Sequence, residues 1–107
     1  MTIDEPLLSA LRAWSAEREE SLAAEGIALH VDDSRSRWSK PSVVLVLEGQ
    51  AAISQLTVWE TGEAELEHGE IATGQVTHEH RELVSVTDLH RALADLVRRQ
   101  REGSGRP

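Results

Sequence analysis

The chain of 107 residues has no cysteine, no phenylalanine and no tyrosine. Without cysteine there is no disulfide framework, no thiolate metal cluster and no cysteine nucleophile, and a cytosolic location is the natural expectation. The longest purely apolar run, Val43 to Leu47, falls far short of the roughly 20 residues that span a bilayer. The acidic N-terminus lacks the basic and hydrophobic regions of a signal peptide, so export by the general secretory route is not expected. Positive charge is also scarce: 11 Lys and Arg stand against 19 Asp and Glu, a formal net charge of -8. A nucleic-acid binder or an anionic-membrane binder needs a positive footprint to neutralise phosphates, so both are excluded as general roles, and the excess favours a cationic partner or simple solubility. What the chain does have is Leu, Ile, Val and Ala for a core, with Trp14, Trp38 and Trp59 as its only aromatic rings.

The length fits one domain that buries roughly two thirds of the surface exposed by its unfolded chain. Leu7, Leu8, Leu11, Trp14 and Leu22 fall on one helical stripe with Glu17, Glu19 and Glu20 largely off it, which predicts an amphipathic helix over Pro6 to Glu25. Asp4 can cap it, Pro6 suits its first turn, and Gly26 can supply a left-handed stop. The period then changes to two: Ile27, Leu29 and Val31 alternate with Ala28, His30 and Asp32, the pattern of a strand with one buried face. A polar loop from Asp33 to Pro41 follows and carries Arg35, Arg37 and Lys40 around Trp38.

Val43 to Leu47, apolar throughout, reads as a strand covered at least partly on both sides. Strands are then expected over Ile53 to Glu60, Ala64 to His68 and Val76 to Leu83, with turns at Glu48-Gly49-Gln50, Thr61-Gly62 and Ala72-Thr73-Gly74. Leu89, Ala92, Leu93, Leu96 and Val97 restore a helical period; Ser85 and Asp88 resemble a capping box, and Val84 and Leu89 are spaced as its hydrophobic staple. The expected fold is therefore α+β: an N-terminal helix, an antiparallel meander of four to five strands and a C-terminal helix. Neither helix interrupts the strands, so both most simply lie on one sheet face as a two-layer sandwich. Residues 1–102 are expected to form the single domain and 103–107 a flexible tail.

His78 and His80 flank Glu79 on a strand, so both imidazoles project from one face, as two metal ligands would, and His68 on the neighbouring strand is a candidate third. Any strand with this alternation satisfies that pattern, and no fourth ligand stands out, so partly exposed strand histidines remain the alternative to a metal site. No cofactor is expected. Glu60, Glu63, Glu65, Glu67 and Glu70 look mutually exposed, whereas acid/base catalysis needs one carboxyl shifted away from its neighbour. With no nucleophile elbow, phosphate-binding loop or dinucleotide fingerprint either, an enzyme is not expected. Trp14, on the apolar stripe, is expected in the core. Trp38 reads either as folded over a core edge or as an anchor for a protein partner. Trp59 shares a strand side with Ile53 and Thr57, opposite Leu56 and Val58, and either side could face the helices.

The segment ISQLTVWETGEAELE, with the Thr73-Gly74 turn, the HEHREL strand and the leucine-rich closing helix, resembles the TriTu immunity proteins of bacterial polymorphic toxin systems. The most specific portion is the strand with Thr57, Trp59, Glu60 and Gly62 and the alternating acidic strand after it; the N-terminal helix and residues 36–47 match only in pattern. The resemblance implies a small cytosolic protein that binds a cognate toxin domain and blocks it without chemistry of its own. Glu60, Glu63, Glu65 and Glu67 are then the expected source of charge toward a basic toxin surface, with Trp59 or Trp38 as aromatic anchor. A dimeric secretion chaperone and a His-based metal-binding protein are the alternatives from other classes. The identity of the toxin and the oligomeric state are not legible.

Overall fold

The computed structural model describes residues 6–34 and 41–104. Helix α1 (Pro6–Ala24) is followed by strands β1 (Ala28–Ser34), β2 (Ser42–Glu48), β3 (Ala52–Trp59), β4 (Glu63–Glu70) and β5 (Val76–Glu82), and helix α2 (Val86–Ser104) closes the chain. The strands form one five-stranded antiparallel sheet in sequence order. Both helices pack on the same face of it, giving the expected two-layer α+β sandwich. None of the described helices is long and apolar enough to cross a membrane.

The core lies between the layers and is almost wholly aliphatic: Leu8 and Leu11 from α1, Leu45, Leu47, Leu56, Val58 and Leu66 from the sheet, and Leu89, Leu93 and Leu96 from α2. The strand period selects these residues, since each alternate side chain points toward the helices. Trp14 packs at the margin of this core rather than inside it, and the Arg18 guanidinium covers its ring at 5.7 Å from the centroid. Val44 and Val46 face away from the helices and are half-buried. No second layer of described residues covers them. Their shielding comes from cross-strand neighbours, Asp32 and Thr57 beside Val44, His30 and Gln55 beside Val46.

Gly26 terminates α1 with φ +83°, as the sequence predicts, and the Ile27 N–H returns to the Leu22 carbonyl at 2.9 Å. At the start of α2 the Asp88 N–H donates to Ser85 Oγ at 3.2 Å, while the Asp88 carboxylate accepts from the Val84 N–H at 2.9 Å. The capping box therefore forms in a shifted version that includes Val84. The expected staple does not form: Val84 is 87% exposed, because the bond to its N–H holds this residue outside the first turn. Asp88→Ala removes this second bond and is expected to cost about 1 kcal/mol, read from urea unfolding. Helix α2 takes in Gly103 and Ser104, which the sequence pattern assigned to the tail. Residues 105–107, Asp4 and residues 35–40 lie outside the described residues, while Asp33 and Ser34, expected in the Trp38 loop, continue β1.

Candidate functional site

The sheet face turned away from the helices is the most distinctive surface. Glu63, Glu65 and Glu67 point into it from β4, as do Trp59 from β3 and His78, His80 and Glu82 from β5. The register aligns them in rows: Thr57, Glu65 and His80 lie side by side, as do Gln55, Glu67 and His78, while Glu63 stands opposite Glu82. Trp59 is thus on the open face, half-buried, opposite Ser42 of β2. The apolar side of its strand belongs to Leu56 and Val58, which resolves the ambiguity left by the sequence. Glu60 is exposed in the turn that follows, closed by the Gly62 N–H on the Trp59 carbonyl at 2.9 Å. Trp38 falls outside the described residues.

The glutamates of β4 are not equivalent. Glu65 directs one carboxylate oxygen to His78 Nε2 and the other to His80 Nδ1, the latter at 2.6 Å. His80 Nε2 also donates to Glu82, at 2.5 Å. Carboxylates in this state only accept, so His80 with a carboxylate at each ring nitrogen must carry both protons and a positive charge. The bonds from Glu65 first, then Glu82, raise its pKa above the ordinary imidazole value, and those from His80 and His78 lower that of Glu65. Glu67, opposite His78, is exposed. The third histidine of the face, His30 on β1, lies 3.6 Å from Glu48.

The arginines of the described residues lie on the helical side of the sheet. Arg12 and Arg18 lie on α1, and Arg91, Arg98, Arg99 and Arg101 on α2. Arg81, the one arginine on a described strand, points toward the helices and bonds Glu79 at 2.7 Å and Asp95 at 2.8 Å. Arg99 reaches Glu79 from α2 at 3.4 Å. The hydrogen bond from Arg81, foremost, holds the Glu79 carboxyl below the usual range. The middle residue of the HEH triplet therefore zips β5 to α2, and only the two histidines face outward. Among the described residues, no arginine or lysine projects from the open face.

His68 lies on the other side of the sheet from His78 and His80. Its Nδ1 meets the hydroxyl of Ser54 at 2.8 Å, and Ser54 donates to Gln100 Oε1 at 2.7 Å. Gln100 in turn donates from Nε2 to the Ala52 carbonyl at 2.7 Å. Ser54 and Gln100 are fully buried, and their bonds pin the C-terminal half of α2 to β3. The structure thus separates the three candidate metal ligands, and among the described residues no group of three or more His, Asp or Glu side chains is placed to hold a metal ion. The sequence reading missed both the Ser54–Gln100 connection and the pairing of Glu65 with the histidines. The second was available in principle: a hairpin folded about Ala72 to Gly74 brings the alternation of His78 and His80 onto that of Glu65 and Glu67.

The open sheet face of this α+β sandwich accompanies a match in sequence. A sequence model described as immunity protein TriTu matches residues 9–99, from within α1 to near the end of α2. The chain belongs to the TriTu immunity protein family. Among curated proteins, none matches it. The TriTu match takes in both helices and every strand, so it covers the open face and the helical layer alike. An immunity function follows from membership, and it implies a toxin as partner.

Proposed function

We propose that the protein binds a cognate toxin domain and blocks it in the cytoplasm, with the open sheet face as the contact surface and no chemistry of its own. The observation that carries this reading is the confinement of the described arginines to the helical side. A sheet face with Glu63, Glu67 and Glu82 and no described arginine or lysine complements a basic surface, such as the cleft of a toxin that acts on nucleic acid. Such complementarity speeds encounter and suppresses wrong partners. Trp59, half-buried beside the acidic strand, offers the kind of rigid aromatic contact that carries binding energy in many interfaces. Glu60, in the adjoining turn, extends the acidic rim.

The test is protection of cells that express a toxin domain taken from a neighbouring reading frame, together with association kinetics of the purified pair. Glu63→Lys combined with Glu67→Lys is expected to slow association roughly tenfold at low salt and to flatten its salt dependence. Both positions are on the sheet surface, so the variant remains folded. Unchanged kinetics and full protection would move the contact to another surface.

A further inference from the structure

Among the described residues, the open face has one kind of basic group, histidine, and its carboxylates are where a cationic partner would bind. Glu65 is held by His78 and His80, and Glu82 by His80. Among the described residues, the remaining charged groups facing these imidazoles are Glu67, opposite His78, and Glu63, opposite Glu82. Strand β5 is the sheet edge, so no further strand faces them. The helices pack on the opposite side, and Arg81 and Arg99 are directed there, to Glu79 and Asp95.

We propose that docking on this face is an exchange of cations: an arginine or lysine of the partner takes Glu65 and Glu82 from His78 and His80, and the displaced imidazolium gives up its proton to solvent. The partner's chemistry rests on the reading of a basic toxin surface above. The exchange itself follows from geometry, since both oxygens of Glu65 are already engaged, one by His78 Nε2 and one by His80 Nδ1, and a guanidinium that bonds the two oxygens in parallel competes with the imidazoles for them. A strongly paired carboxylate favours the guanidinium, which forms two parallel bonds with it and does not deprotonate near neutral pH.

The sign of the pH dependence follows. The free protein binds more protons than the complex in the range where His80 titrates, so affinity rises with pH there. Because the carboxylates raise the pKa of His80 above the ordinary imidazole value of 6.5, the window extends upward from that point.

Hexa-arginine is a suitable probe, because its side chains keep one charge throughout. Binding of the full chain to hexa-arginine, measured by calorimetry at low salt, is expected to be roughly tenfold tighter at about pH 8.5 than at about pH 6, with net proton release between buffers of different ionisation enthalpy. The His78→Gln/His80→Gln variant, folded by its amide spectrum, should lose most of that dependence. Glu65→Gln/Glu82→Gln should lose it too and bind more weakly at the higher pH. A wild-type affinity that does not rise, or a rise that survives intact in the histidine variant, overturns the proposal. The toxin reading has its own readout: normal protection by the Glu63→Lys/Glu67→Lys variant defeats that reading while leaving a measured proton exchange standing. Toxin binding lost in the same variant, with no pH dependence in hexa-arginine binding, overturns only the exchange.

Discussion

Gly62→Ala is expected to destabilise the protein by about 3 kcal/mol, combining left-handed backbone strain with overpacking. Gly62 is buried in the hairpin turn between Trp59 and Glu63 with φ +100°. A Cβ there would stand 2.5 Å from the Leu83 carbonyl oxygen, a backbone atom with no rotamer to change. The Leu83 N–H donates to the Gly62 carbonyl at 2.7 Å, so moving one chain away from the other breaks the joint between the β3–β4 hairpin and the entry to α2. Gly26→Ala is the internal control. Gly26 also has positive φ, +83°, but nothing lies within 4 Å of its Cβ position, and the backbone cost alone is expected, about 1 kcal/mol. Urea midpoints at constant slope measure both. Equal losses at the two glycines would show that Leu83 does not crowd Gly62.

Gln100→Leu is expected to cost about 2 kcal/mol, the net contribution of its two buried hydrogen bonds, to Ser54 and to the Ala52 carbonyl. The Ala52 carbonyl can only accept, so Gln100 must present Nε2 to it and Oε1 to Ser54. Ser54 then spends its single hydrogen on Oε1, and His68 must donate from Nδ1 to the Ser54 oxygen. In the variant, the Ser54 hydrogen is free to turn to His68, and the imidazole is expected to switch to its Nε2–H form. Nitrogen chemical shifts of the His68 ring distinguish the two tautomers. Removing both buried partners with Ser54→Ala/Gln100→Leu should recover much of the loss, because an apolar pair leaves fewer unmet bonds than half a polar one. If the single variant matches wild type in stability and tautomer, the network does not hold the helix.

The elements were legible because each was periodic or punctuated by a residue with a specific conformational role. Gly26 stops α1 by its left-handed φ, and Leu89, Leu93 and Leu96 mark the buried stripe of α2 at helical spacing. The candidate site was legible only by strand. Alternation correctly grouped Glu63, Glu65 and Glu67 on one side and His78 with His80 on one side, but alternation within a strand does not say which residues oppose each other in the next. The staple at Val84 was misread for a related reason: spacing allowed a contact with Leu89, while a hydrogen bond from its own N–H to Asp88 turned the residue outward.

The chain's own order of residues determined the helix, meander, helix succession, the aliphatic core and the excess of negative charge, because each depends on local periodicity or composition. Only the tertiary structure decided where the charge went. Register placed Glu65 between His78 and His80, and docking of α2 drew Arg81 inward to Asp95. The sheet then required that Trp59, sharing a side with the glutamates, face away from the helices once Leu56 and Val58 were buried. Pairing across strands and choice of sheet face are relations between distant segments, set by which apolar side is buried, and they convert a row of glutamates into a surface where the described basic groups are histidines.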